Sequence, residues 1–191
     1  MRIAFISDIH SNIHALEKVM EEIEKEGVDK IICCGDIVGY NAFPSECLGV
    51  VKEKVDASVL GNHDYAAITG NTGWFNEYGV AGIRYCRSVL SDEEMEFLKS
   101  LHTHLYLNAN GLDIYVTHGS PRDEIFEYVF PDVSDDLLLQ FAEIADADVL
   151  VFGHTHVPME RRVKDKIFLN PGSVGQPRDG NPMTSYMIFD T

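Results

Sequence analysis

Residues that can bind metal ions recur where apolar runs of this sequence end. They are Asp8 and His10, Asp36, Asn62 with His63 and Asp64, His118, and His154 with His156. The set includes five of the eight histidines of the chain. Imidazole, carboxylate and amide groups together suit Mn, Fe, Zn, Co or Ni better than calcium. If the fold gathers these segments, the expected chemistry is that of a divalent transition-metal site.

Two metal ions fit this set better than one. Asp8 and Asp36 in one cavity would raise each other's pKa, and their removal from water would add to the cost of ionisation. Divalent cations compensate both effects. Seven of the residues are candidate ligands, more than one ion takes from protein groups of these types. Asp36 is the candidate bridge between two ions, because the strand before it is predicted to be central.

The segment that positions Asp36 is the apolar run 31–34, which Gly35 follows. Such a run predicts a buried parallel strand with helices on both faces. Open α/β sheets bind their ligands beyond the carboxyl ends of such strands. Residues 2–7 predict a preceding strand, and apolar residues three and four apart predict a helix over 11–26. A right-handed crossover would make the two strands parallel.

Predicted strands and helices also alternate along the rest of the chain. Further strands are predicted from 104 to the Asn110-Gly111 turn and at 57–60, 112–117, 149–152, 157–162, 167–169 and 185–189. Helices are predicted at 45–54, within 65–100, and at 134–145, and residues 61–64 are predicted to form a tight polar turn. This order predicts one domain over residues 1–191. The expected fold is α/β, a four-layer α-β-β-α sandwich of two mixed sheets with the metal site at the strand C-terminal ends.

The composition argues against several classes of partner. The formal net charge is −16 and the pI about 4.7. Such an acidic surface repels nucleic acids and anionic membranes, so neither is expected as a partner. No apolar run approaches the ~18 residues of a membrane span, and the start of the chain lacks a signal-peptide pattern. The four cysteines have no metal-site or redox-motif spacing, which favours buried thiols and a cytoplasmic location.

Taken one at a time, the candidate ligands have ordinary structural explanations. Asp8 could cap a helix, Asp36 could be a turn residue, and His118 could be a buried histidine with a hydrogen-bond partner. The pair His154 and His156 is harder to explain in this way, because two imidazoles at one strand end need a reason. Five blocks of ligand types in succession favour the metal site.

The blocks resemble the signature of the calcineurin-like metallophosphoesterases, and most closely that of their small prokaryotic phosphodiesterase branch. They read Asp8-Ile9-His10, Gly35-Asp36, Gly61-Asn62-His63-Asp64, His118 and Gly153-His154-Thr155-His156, and Asn170-Pro171-Gly172-Ser173 follows. The resemblance implies one metal held by Asp8, His10, Asp36 and His156. It implies a second metal held by Asp36, Asn62, His118 and His154. His63 would not bind metal; it would be the catalytic residue that faces the phosphate.

This resemblance also implies an activity. The expected enzyme hydrolyses phosphodiester bonds of a small phosphorylated substrate by attack of a metal-bridging hydroxide, with Mn as the first choice of metal. A phosphomonoesterase or nucleotidase is the alternative among enzymes. A non-catalytic protein-interaction scaffold of the same fold, like the retromer scaffold subunit, is the alternative from another class. The presence of His63 and of all seven ligand types argues against the scaffold.

Some roles stay open at this level. Asn12 and Arg122 are the candidate substrate-binding residues, because each lies beside a ligand block, and an arginine can clamp a phosphate. Tyr40 and Arg178 qualify by the same reasoning. Asp64 either orients His63 or closes the turn. Homo-oligomer formation is also open, because the sequence does not separate apolar surface from core.

Overall fold

Two mixed β-sheets form the centre of the molecule. The computed structural model describes residues 1–191. The first sheet contains β1 (Arg2–Ile6), β2 (Lys30–Cys33), β3 (Ala57–Ser58) and β9 (Met187–Asp190). Its strand order is β3-β2-β1-β9, with β1, β2 and β3 parallel and β9 antiparallel. The parallel pairing of β1 and β2 is the one that the sequence predicted.

The second sheet has more antiparallel pairs. Its strands are β4 (His104–Ala109), β5 (Leu112–Thr117), β6 (Val149–Val151), β7 (Met159–Val163) and β8 (Lys166–Asn170). They lie in the order β4-β5-β6-β8-β7. Strands β5, β6 and β8 are parallel, whereas β4 and β7 pair antiparallel at the two edges. The parallel strands at its centre direct their carboxyl ends toward one side.

Six helices cover the sheets. They are α1 (Ile13–Glu26), α2 (Pro44–Lys54), α3 (Asn62–Thr69), α4 (Glu77–Val89), α5 (Asp92–Ser100) and α6 (Asp135–Ala145). The side chain of Asn12 caps α1, and Ser91 with Glu94 forms a capping box at the start of α5. None of the six combines the length and the hydrophobicity that crossing a bilayer requires.

The alternation of side chains along β1 shows how the layers stack. Ile3 and Phe5 pack with Val116 in a buried cluster between the two sheets. Ala4 and Ile6 point the other way and join a cluster built from α1, α2 and the helices after β3. A third cluster joins α6 to the outer face of the second sheet. The four-layer α-β-β-α sandwich is therefore confirmed.

Among the element boundaries that differ from the predictions, two have a clear physical reason. Residues 61–64 do not form a separate turn, because Asn62, His63 and Asp64 are the first turn of α3. The same residue types serve turns and helix starts, so their composition does not separate the two. The strand predicted from residue 157 begins at Met159, since Pro158 has no amide hydrogen for a β-ladder.

Candidate metal centre and active-site cavity

The segments after the strands of both sheets converge on one edge of the sandwich. Asp8 and His10 follow β1, Asp36 follows β2, Asn62 and His63 begin α3, His118 follows β5, and His154 and His156 follow β6. Hydrogen bonds between backbones hold neighbouring segments together. The amide of Asp8 donates to the carbonyl of Gly35, and the amide of His10 to that of Asp36, each over 3.0 Å. All seven predicted ligands are buried there.

The backbone is strained at most of these residues. Asp8, His10, Asp36, His154 and His156 have φ values of 53°, 49°, 56°, 67° and 58°. This left-handed region is uncommon for residues other than glycine. Such strain persists only where the surroundings impose it, and it concentrates at functional sites. Five of the seven predicted ligands share it, which links the conformation to the site.

The side chains form two groups that share one residue. Asp8, His10, Asp36 and His156 each offer a ligand atom, and these atoms lie within 4.8 Å of one another. The same holds for Asp36, His118 and His154. The side-chain oxygen of Asn62 lies 3.0 Å from Nε2 of His118 and so adjoins the second group. Asp36 lies in both groups, as a bridging ligand must.

The four imidazoles of the two groups are oriented as metal ligands usually are. Each places one ring nitrogen against a backbone carbonyl: His10 against Val38 (3.3 Å), His118 against Cys34 (2.8 Å), His154 against Phe126 (3.2 Å) and His156 against Gln176 (2.5 Å). A carbonyl only accepts, so this ring nitrogen carries the proton in each neutral ring. The other nitrogen then presents a lone pair to the centre of the site.

The two aspartates are arranged in a matching way. Oδ2 of Asp8 accepts the amide proton of His154 at 3.1 Å, and Oδ1 of Asp36 accepts that of His63 at 2.7 Å. The remaining oxygens, Oδ1 of Asp8 and Oδ2 of Asp36, are buried without a hydrogen-bond partner. Buried acceptors without a partner are costly, and a cation among them removes the cost. This donor set therefore fits divalent metal ions.

Burial determines the protonation of three of the imidazoles. It lowers the pKa of His154 to about 3, and it lowers the pKa values of His10 and His156 as well. These rings are neutral at pH 7, and the neutral ring is the form that binds metal. His118 differs: burial lowers its pKa, but the charge and hydrogen bonding of Asp36, the charge of Asp8 and the carbonyl of Cys34 together raise it to about 9. A metal ion at His118 must therefore displace a proton.

His63 belongs to neither ligand group. Its ring packs against those of His10, Tyr40 and Phe75, with centroids 4.6, 4.6 and 4.5 Å away. Burial lowers the pKa of His63 to about 4, so its ring is neutral at pH 7. His63 also lines the cavity described below. It is therefore placed to donate a hydrogen bond to a bound group.

Asp64 holds the backbone around the bridging residue. Its carboxylate accepts the amide protons of Ile37, Val38 and Gly61 at 3.2, 3.0 and 3.1 Å. These bonds connect the segment after Asp36 to the start of α3. Gly61 must lack a side chain, since a Cβ there would lie 2.1 Å from Oδ1 of Asp36. Of the two roles left open for Asp64, these contacts fit the one that fixes the local backbone, which here is the start of α3 and not a separate turn.

A cavity of about 570 Å³ opens beside the two ligand groups. Asp36, Asn62, His154 and His156 lie in its wall, and Arg178 is the only arginine or lysine that lines it. Small-molecule sites in proteins typically have volumes in this range. The volume and the single cation suit a small anionic ligand.

The structure does not bring the two predicted substrate-binding residues to this cavity. The side chain of Asn12 caps α1 and donates to the carbonyl of Gly175 at 3.1 Å. Arg122 forms an ion pair with Glu127, and its guanidinium lies 5.1 Å from the ring centre of Phe141. Both side chains are thus engaged outside the cavity wall.

The cavity wall also contains residues that the sequence analysis did not select. Trp74, Tyr78, Phe126 and Tyr128 line it. The ring of Tyr128 stacks on that of His154, with centroids 3.7 Å apart and planes inclined by 20°. The signal in the sequence was the density of aromatic residues at 74–78 and at 126–130, where three of five residues are aromatic in each segment.

Comparisons with known proteins agree with this geometry. A family model described as the calcineurin-like phosphoesterase superfamily domain matches residues 1–191. An uncharacterised protein of Methanocaldococcus jannaschii is 40% identical over 205 residues, which cover 98% of this chain and 82% of that protein. Phosphodiesterase YfcE of Escherichia coli is 29% identical over 196 residues, which cover 100% of this chain and 88% of YfcE. The crystal structure of a metallophosphoesterase from Sphaerobacter thermophilus is 34% identical, with a TM-score of 0.83 over 99% of this chain and 83% of that one.

Proposed function

Because the chain belongs to the calcineurin-like phosphoesterase superfamily, we propose that it hydrolyses phosphodiester bonds of a small-molecule substrate with two divalent metal ions. The family itself supports a metal-dependent phosphoric ester hydrolase. The diester preference has its support in relatives named phosphodiesterase, such as YfcE. The alternative is a phosphomonoesterase, and the substrate test below must distinguish it from a phosphodiesterase.

The observation that carries the proposal is the position of Asp36 in both ligand groups. One ion would be held by Asp8, His10, Asp36 and His156, and the other by Asp36, Asn62, His118 and His154. Bound there, the ions would supply Lewis acidity toward phosphoryl oxygens and activate water at neutral pH. The carbonyl contacts of the four imidazoles would keep their lone pairs directed at the ions.

His63 and Arg178 would act on the substrate directly. The neutral ring of His63 would donate a hydrogen bond to a phosphoryl oxygen or to the leaving group, where negative charge develops. The guanidinium of Arg178 would pair with the phosphate, as arginines often do in bidentate form. The positions of Asn12 and Arg122 give no support to a direct role for either side chain.

The size and charge of the protein favour a small substrate. The cavity volume of about 570 Å³ suits a compact ligand. The net charge of −16 disfavours a polyanion such as a nucleic acid. We retain Mn as the first metal to test, with Fe, Ni, Co and Zn as the others that these ligand types suit.

A chromogenic assay tests the proposal. The protein is stripped with a chelator, reloaded with each of the five metals, and given bis(p-nitrophenyl) phosphate or p-nitrophenyl phosphate at equal concentration. Metal-dependent hydrolysis with a higher kcat/KM for the diester is the expected result. A higher kcat/KM for the monoester would replace the diesterase by a phosphatase, and no metal-dependent hydrolysis of either would refute the proposal.

A further inference from the structure

Part of the cavity is lined by aromatic rings for which hydrolysis itself has no use. We name Trp74, Tyr78, Phe126 and Tyr128 the aromatic mouth, because all four line the cavity beside the ligand groups. We propose that the aromatic mouth binds a planar aromatic ring carried by the phosphoester, and that this ring is a nucleobase. The substrate class would then be nucleotide-like phosphoesters; this inference rests on the proposed function.

Two rings of the aromatic mouth leave most of their surface uncovered. Trp74 is 68% exposed and Tyr78 is 71% exposed. Tryptophan in particular is highly buried on average, so exposed rings at a cavity are a feature that needs an explanation. A flat ligand ring stacked on them would remove this apolar area from water.

The other two rings are braced by their neighbours. The centroid of Phe126 lies 5.2 Å from that of Trp74 and 5.7 Å from that of Tyr65, the latter ring standing nearly perpendicular to it. Tyr128 stacks on His154. Rings that are already supported lose little freedom when a ligand binds, which favours affinity. Through Tyr128, the aromatic mouth also adjoins a candidate metal ligand directly.

The distribution of charge in the cavity indicates what the ring must be attached to. Arg178 is the only arginine or lysine in the wall, and its Nη2 donates to Oε1 of Gln176 at 2.7 Å. The same Nη2 donates to the hydroxyl of Tyr40 at 3.3 Å. Both of these partners are neutral, so an anion is the natural partner for the guanidinium. A ligand that carries both a phosphate and an uncharged planar ring matches the cation and the aromatic rings that line the cavity.

Base stacking on aromatic side chains fits these observations better than an aliphatic group does. Every nucleobase has a π-face, and each base stacked on such rings gains affinity that alanine substitution removes. A volume of about 570 Å³ accommodates one such ligand rather than a polymer. Stacking uses the π-face that every base has, so we expect modest discrimination among bases.

The single tryptophan of the chain supplies a direct test. Zn²⁺-loaded protein is titrated with 9-(2-phosphonylmethoxyethyl)adenine and with the same phosphonate chain lacking adenine. Neither can be hydrolysed as a phosphoester, so binding is measured without turnover. Trp74 fluorescence is excited where adenine does not absorb. We expect saturable quenching by the adenine compound and at least about tenfold tighter binding than for the compound without the ring. Equal affinities would overturn the inference.

Variants locate the binding to the aromatic mouth. By calorimetry, Trp74→Ala and Tyr78→Ala should each weaken the adenine phosphonate about tenfold and leave the ring-free phosphonate unchanged, while Trp74→Phe should retain most of the affinity. Ile144→Ala removes an exposed apolar side chain of α6 outside the cavity and is the matched control. An unchanged adenine preference in both alanine variants would overturn the assignment. Tyr78 is so exposed that its variant should fold normally.

Phenylphosphonate distinguishes a base from any aryl group. If phenylphosphonate binds more weakly than the adenine compound, the result supports a nucleobase. If it binds equally or more tightly, that part of the inference is overturned. The failure of this inference and that of the proposed function are also distinguishable. Equal affinity with and without the ring would leave the hydrolase intact. Ring-dependent binding in a protein that hydrolyses no phosphoester would leave only the ring site.

Discussion

The Nε2 atoms of His10 and His156 lie 3.0 Å apart, although 146 residues separate them in the chain. Both rings use their other nitrogen against a backbone carbonyl. In the neutral rings, two lone pairs therefore face each other inside the protein. Oδ1 of Asp8, which lacks a hydrogen-bond partner, lies 3.3 Å from one of them. This arrangement is unfavourable in isolation and becomes favourable around a cation.

Metal should therefore stabilise the fold. A ligand that binds only the native state raises the free energy of unfolding, and the increase grows with the ratio of ligand concentration to Kd. An increase of ~1 kcal/mol raises the Tm of a domain of this size by about 2–4 °C. We expect the chelated protein to melt at least about 5 °C below the Mn²⁺- or Zn²⁺-loaded protein. Ca²⁺ is the control, because it prefers all-oxygen sites. Identical melting curves with and without transition metal would contradict a metal site.

Metal binding should also release a proton from His118. Its pKa of about 9 means that the metal-free ring is protonated at pH 7, and a metal needs the unprotonated nitrogen. Since the pKa of His154 is about 3, that ring loses no proton. Affinity should thus fall about tenfold for each pH unit below 9. Calorimetry in two buffers of different ionisation enthalpy should give about one proton per chain at pH 7, and no release would contradict the role of His118.

His63 should affect the rate without affecting the metal. Removing a group that assists proton transfer or charge development typically costs about 10²–10⁴-fold in rate. We expect His63→Ala and His63→Gln to lose kcat on this scale and to keep the metal content of the parent. His14→Ala, at an exposed position of α1, is the matched control. If either His63 variant lost its metal instead, the residue would belong among the ligands.

Asp64→Asn tests the support of the bridging residue. The carboxylate accepts three amide protons, and an asparagine would turn an NH₂ group toward at least one of them. A buried donor left without an acceptor costs about 1–3 kcal/mol, so the free energy of unfolding in urea should fall by that amount. Metal affinity should fall about 10–100-fold, as for other residues that orient ligands. Asp132→Asn, at an exposed position, should change neither quantity.

Residue types and their order identified the candidate ligands from the sequence, and the family resemblance divided them into two groups. The two-sheet sandwich was predicted from the order of the apolar segments. The left-handed backbone of Asp8 or His154 could not be predicted, because spacing carries no information on φ where long-range bonds impose it. The position of the Arg122 side chain could not be predicted either. It depends on an ion pair with Glu127, and the sequence does not show which of the many acidic residues an arginine will pair with. In the aromatic mouth, Trp74 lies beside Phe126, which is 52 positions later in the chain, and only the fold brings them together.

The most direct test is the number of metal ions bound per chain in the parent protein and in Asp36→Asn, measured by elemental analysis after loading and desalting. Asp36 lies in both ligand groups, so its carboxylate should be needed to hold two ions side by side. We predict about two ions per chain for the parent, and a clear loss of metal together with hydrolysis for Asp36→Asn. An Asp36→Asn protein that keeps two ions and full activity would contradict the bridged metal centre.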